Sequence, residues 1–145
     1  MDTAASRLAR PAFLVCAGAM VAHEVDAALR AEWRLLYGLR SLQDEIAASA
    51  FVLLHLPLCV AVSHLVAHPD GTVRVRARAA FSAFAVVHAG LHWRLRDDPL
   101  SDFSSPASVA CIAAGAIGGL AWFAANALAR RDGRRTDVAR RAVPR

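Results

Sequence analysis

His23, Glu24, His55, His88 and His92 are the residues of this chain best suited to chemistry. His23 and Glu24 are adjacent and supply a ligand beside a proton acceptor. His88 and His92 are four apart, so on a helix both imidazoles project from one face. His23, Asp26, Ala27 and Arg30 likewise share a face. Neutral imidazole nitrogen with a carboxylate oxygen suits Zn, Fe or Mn, which makes His23, His55, His88 and His92 the candidate ligands and Glu24 the candidate acid or base. The zinc-protease signature is absent, because Ala89 and not Glu follows His88. Without a metal the same groups can form a hydrogen-bonded network or a proton relay, and Glu24 and Asp26 can neutralise Arg30 and Arg34. Haem needs facing histidines on different helices. His55 with His88, or His23 with His88, would serve, but no small-residue channel lies beside them and haem ranks low. His64 and His68 fall on another face and at another depth, with His68 ending its helix ahead of Pro69.

The elements that carry these residues are unusually apolar. Of 145 residues 57% are apolar and 20% charged, against about 25% charge in average soluble domains. A disordered chain, a collagen repeat and a disulfide scaffold are excluded, and a soluble globule fits poorly. Four apolar segments stand out at about 11–29, 46–68, 79–93 and 106–129, followed by a basic tail at 130–145 that reads as a frayed helix end and disordered. Crossing a bilayer takes about 20 residues, and the segments lack the alternation of barrel strands. The expected fold is all-α, a four-transmembrane-helix bundle whose main partner is the lipid bilayer.

The net charge of +5 comes from 17 Arg and no Lys. These arginines flank the apolar segments instead of forming one stripe, so they orient a multi-pass membrane protein and bind no nucleic acid. With the N-terminus inside, 12 arginines lie inside and 5 outside. Both termini are expected in the cytoplasm, Trp33 and Trp93 at the outer interface and Trp122 near the inner one. His23, His55, His88 and His92 then share the outer half of the bilayer. Arg7 and Arg10 before an apolar run also resemble a cleavable signal peptide, but the helical pattern continues past Ala19 and retention is expected. Cys16, Cys59 and Cys111 have no CxxC spacing and read as small buried hydrophobes. Pro57 frees a carbonyl beside His55, as a cavity-widening kink or a tolerated membrane proline. Gly115 and Gly119 offer a close-packing face to a neighbouring helix or, in a homo-oligomer, to a second copy.

His23-Glu24-Val25-Asp26, then Glu32-Trp33-Arg34, His55-Leu56-Pro57-Leu58 and the later His88 resemble a bacterial family of small four-helix integral membrane proteins of unknown function. The resemblance runs from about Val21 to His92 and implies a membrane location, taken here as the inner membrane, and a four-span fold, with no activity to carry over. The fourth segment has no motif to match. The functional expectation is an outer-half site between helices that binds a metal or a small polar ligand. Its competitor is a non-catalytic accessory or structural subunit whose polar cluster only fixes helix packing.

Overall fold

The computed structural model describes residues 4–141, with side chains over 7–134. Four helices, α1 (Ala4–Leu29), α2 (Asp44–Val66), α3 (Gly71–Leu95) and α4 (Pro106–Arg141), are joined by short connections. A 3-10 helix, Glu32–Leu35, follows α1. The fold is all-α, with no strand among the described residues. α1, α2 and α4 are each long and apolar enough to cross a membrane. α3 carries Arg74, Arg76 and Arg78 in its first turns and does not meet that measure.

Local chemistry sets the ends of the helices. Asp70 caps α3 by accepting from the backbone N–H groups of Thr72 and Val73 at 2.7 and 3.0 Å. This starts α3 at Gly71, eight residues before the expected apolar segment, and takes the arginines into the helix. Two of them serve α2, whose last carbonyls lack helical partners. Arg78 donates to Val66 O at 3.1 Å and Arg74 to His68 O at 2.6 Å. Ser105 receives the N–H of Ser108 at 3.1 Å just ahead of Pro106, the position where proline is pre-organised for a helix start. Pro11 lies inside α1 and Pro57 inside α2, and both helices run on through them.

α4 is longer than its apolar segment. The tail expected to fray from residue 130 continues as helix to Arg141, because alanine and arginine favour helix and Gly133 alone does not break it. Residues 142–145 of that tail lie outside the described residues. Trp122 lies within this helix and is buried. Trp93 is exposed with Arg96 stacked on its ring. Trp33 packs against Phe51 in the core.

α1 and α3 both pack along α4, while α2 leans on α3 at the edge of the bundle and buries only Ala47 and Phe51. The close approach depends on glycine. A Cβ on Gly118 would stand 2.6 Å from Cys16 N, and one on Gly119 would stand 2.8 Å from Ser82 O. Gly115 faces Met20 of α1. The glycine face is thus covered by α1 and α3 of the same chain, which is the same-chain packing that the spacing allowed. Cys16 is buried, Cys111 half-buried and Cys59 exposed, all as free thiols. The expectation of three buried cysteines fails for Cys59, because α2 offers most of its surface outward.

Candidate metal centre

Three imidazoles and one carboxylate converge at the end of the bundle where α1 passes into α2 and α3 into α4. His23 of α1 and His88 and His92 of α3 direct their Nε2 atoms at one another, with 2.7 Å between His23 and His88 and 3.0 Å between His88 and His92. Glu32 closes the group, with one carboxylate oxygen 3.4 Å from His23 Nε2 and the other 3.7 Å from His92 Nε2. One ligand atom from each residue lies within 4.8 Å of all the others. Tetrahedral ligands held at 2.0–2.1 Å from a zinc ion stand about 3.3 Å apart, so the nitrogen pairs are a few tenths of an ångström tighter and the oxygen contacts a little wider.

Backbone geometry explains how Glu32 arrives. α1 ends at Leu29, and Ala31 takes a left-handed conformation at φ 55° and ψ 43°. The reversal folds the 3-10 helix back over the end of α1 and sets Glu32 above His23. Burial alone would raise the Glu32 carboxyl. The contact with His23 and the charges of His23, His92 and His88 more than offset this and hold it below the usual carboxylate range. His23 is fully buried, and the His92 and Glu32 side chains are 8% and 12% exposed. Phe103, from the connection before α4, covers the group with its ring 4.5 Å from that of His92 and 5.6 Å from that of His23. His23 Nδ1 and His92 Nδ1 are buried without a hydrogen-bond partner. Packing therefore holds these rings, with no outer hydrogen bonds to help.

One turn along α1 from His23, Asp26 accepts the hydroxyl of fully buried Ser108 at 2.5 Å and pairs with Arg30 at 3.5 Å. Arg30 reaches on to Asp102 at 3.2 Å. The shared face of His23, Asp26, Ala27 and Arg30 is the face turned inward.

Of the expected ligands, the structure gathers His23, His88 and His92 and leaves His55 out. His55 Nε2 lies 2.8 Å from Glu24 Oε2, in a pair of its own. Glu24 accordingly does not join His23 and His88 as expected. Neighbouring residues on a helix are about 100° apart around its axis, so turning His23 towards α3 turns Glu24 towards α2 and His55. Glu24 does not neutralise an arginine either, since Arg34 pairs with Asp44 at 2.5 Å. His64 and His68 stack on each other at the opposite end of α2, away from the group. His23 and His88, offered as facing haem ligands, have touching Nε2 atoms and leave no width for a macrocycle between them. Glu32 is the residue that the spacing of histidines does not point to. Its sequence signals are its place as an acid at the start of the connection that leaves the His23 helix and its part in the Glu32-Trp33-Arg34 motif.

The family described as one of unknown function, DUF6713, matches residues 9–128. The chain belongs to this DUF6713 family. The match extends past His92 through most of α4, the helix that carried no recognisable motif. It therefore takes in every residue of the cluster together with the glycine seam behind it. No curated protein and no solved structure matches the chain.

Proposed function

We propose that this DUF6713 protein is a multi-pass protein of the bacterial inner membrane that holds a divalent metal ion between α1, the 3-10 helix and α3. His23, His88, His92 and Glu32 are its ligands. The observation that carries this reading is the convergence of three Nε2 atoms and a carboxylate within 4.8 Å. Three nitrogens and one oxygen form a donor set that suits Zn, Fe or Mn. When bound, such an ion supplies Lewis acidity at the outer end of the bundle. The chain's own residues position it: Ala31 turns Glu32 inward, Phe103 excludes water, and Asp26 with Ser108 ties α1 to α4 beside His23. Glu24, the expected acid or base, would act from the α2 side of α1 through its pair with His55.

Membrane placement rests on three apolar helices and on the arginine distribution, which favours both termini in the cytoplasm. α3 completes a fourth crossing with its arginines at the inner face, where they cap α2. Phe84, Val87 and Leu91 then meet lipid, and each is about half exposed or more.

The test is zinc affinity by competition with a chelator in detergent. Glu32→Gln and His88→Ala are expected to weaken binding by at least about 100-fold, while the His64→Ala, His68→Ala double variant binds as wild type does. Equal affinity in all four proteins would overturn the metal reading. If His88→Ala instead lowers thermal stability alone and the wild type takes up no zinc, the cluster is a device for helix packing.

A further inference from the structure

Arginines at the two ends of the bundle have different partners. At the end that holds the His23 group, Arg30, Arg34 and Arg96 each pair with an aspartate. At the far end, Arg7, Arg10, Arg74, Arg76 and Arg78 pair with no carboxylate among the described residues. The sequence of α3 contains no acid, and the first acid of α1 after Arg10 is Glu24. Asp70, ahead of α3, uses its carboxylate to cap Thr72 and Val73.

These cations are in register across one seam. α1 and α3 run parallel, with Phe13 against Phe81 near one end and His23 against His88 near the other. The two phenylalanine rings stand 5.9 Å apart. Arg10 lies three residues before Phe13, and Arg78 three before Phe81. Each arginine is therefore one turn nearer the far end and on the face of its phenylalanine. Arg7 and Arg74 continue the two rows by a further turn. The guanidinium carbon of Arg78 sits 5.0 Å from the centre of the Phe13 ring, so it reaches across the seam to α1. Arg78 gives only its Nε–H to Val66 O, which leaves its Nη groups without an acceptor among the described residues, as are all the donors of exposed Arg10. Packed helices stand about 8–10 Å apart, which brings two guanidinium groups within reach of one phosphate, whose oxygens match their paired N–H groups. Leu14 beside Phe13 and Phe84 one turn beyond Phe81 are 59% and 50% exposed. Apolar surface thus continues from the arginines along both helices, as an acyl chain requires.

We infer that this seam binds the phosphate of an anionic phospholipid, with Arg10 and Arg78 as donors and Arg7 and Arg74 adding charge behind them. The inference rests on the membrane placement proposed above and is independent of the metal.

Full-length protein in detergent is titrated with phosphatidylglycerol, phosphatidylcholine or inorganic phosphate. Native mass spectrometry counts bound lipid, and thermal unfolding is followed in parallel. Phosphatidylglycerol is expected to bind and to raise the unfolding temperature, and the other two to leave it unchanged. Arg10→Gln and Arg78→Gln should each weaken phosphatidylglycerol binding at least about tenfold, the loss of one hydrogen bond to a charged group. Arg131→Gln, which removes the same charge from α4 at the same end, should bind as wild type does. Arg10 has no protein partner to lose, so its variant decides the matter even if Arg78→Gln loosens the end of α2. Equal weakening by Arg131→Gln would replace the site with diffuse attraction. A shift with inorganic phosphate as large as with lipid would make it a site for free anions, and equal binding of the two lipids would overturn it outright. A failure of the membrane placement shows separately, in reporters fused to the termini.

Discussion

Replacing Gly118 with alanine puts a methyl group where the backbone of α1 already lies. The new Cβ would meet Cys16 N at 2.6 Å, Cys16 Cα at 2.9 Å and Ala12 O at 3.0 Å. The shortest of these falls about 0.8 Å short of ordinary contact. All three are backbone atoms, so no rotamer change relieves the overlap and α1 must move as a unit. Overpacking of this kind costs about 1–3 kcal/mol. α1 also meets α3 here, with Cys16 and Met20 clustered with Ala85 and the Phe13 and Phe81 rings 5.9 Å apart, while neighbouring Gly119 is set against Ser82 O of α3. Displacing α1 therefore also displaces His23 from His88 and His92. Gly118→Ala should lower the unfolding temperature in detergent and weaken zinc retention together. Gly18→Ala is the control, because its Cβ would meet nothing within 4 Å. Gly115→Ala should fall between them, since it presses mainly on the flexible Met20 side chain at 3.2 Å. If Gly118→Ala matched Gly18→Ala in both stability and zinc retention, the idea that the glycine seam sets the geometry of the site would be wrong.

Ala31→Gly should gain up to about 1 kcal/mol in thermal unfolding, because glycine adopts the left-handed conformation without the Cβ penalty; a clear loss would contradict the turn that delivers Glu32. Ser108→Ala should lose about 1.5–3 kcal/mol, the range for a hydrogen bond to a charged group, and an unchanged unfolding temperature would show that Asp26 does not depend on it. The backbone N–H groups of Val73 and Thr72 hold the Asp70 carboxyl below its ordinary value. Its contribution is complete above the ordinary carboxylate pKa and is lost as the pH falls through the depressed one. Asp70→Asn, which keeps a cap without titrating, should flatten the acid side of the stability profile; an identical profile would remove Asp70 from the account. Reporters fused to either terminus should register in the cytoplasm if the proposed orientation, which sets 12 arginines inside and 5 outside, follows the positive-inside rule, and a periplasmic signal from either would overturn that topology.

The helices and three of the four clustered side chains, His23, His88 and His92, were legible in the sequence for definite reasons. Apolar runs of spanning length leave little choice but helix, and α1 ends at Leu29 and α4 begins at Pro106 as expected. The spacing of His88 and His92 needs only helical geometry. His23 is marked by being a polar residue inside an apolar run. Glu32 stood out only as part of the Glu32-Trp33-Arg34 motif, and its place in the histidine group was not legible, because it depends on an alanine at positive φ that nothing in the residue type announces. The assignment of Glu24 to the His23 group overlooked the 100° between neighbours on a helix. The length of α4 was misjudged because the arginine-rich stretch looked like an ending when it is helix. The division of histidines between α3 and α2 needed the packing order of the bundle, which no periodicity within one helix contains.

The central claim is that the His23, Glu32, His88 and His92 group holds a metal ion in the working protein. Elemental analysis of protein isolated from its own membranes, without added metal or chelator, tests it most directly. The account predicts at least one equivalent of zinc, iron or manganese per chain in the wild type, falling at least tenfold in a folded His88→Ala variant. A wild type without bound metal, or a His88→Ala variant that keeps the full equivalent, would contradict it.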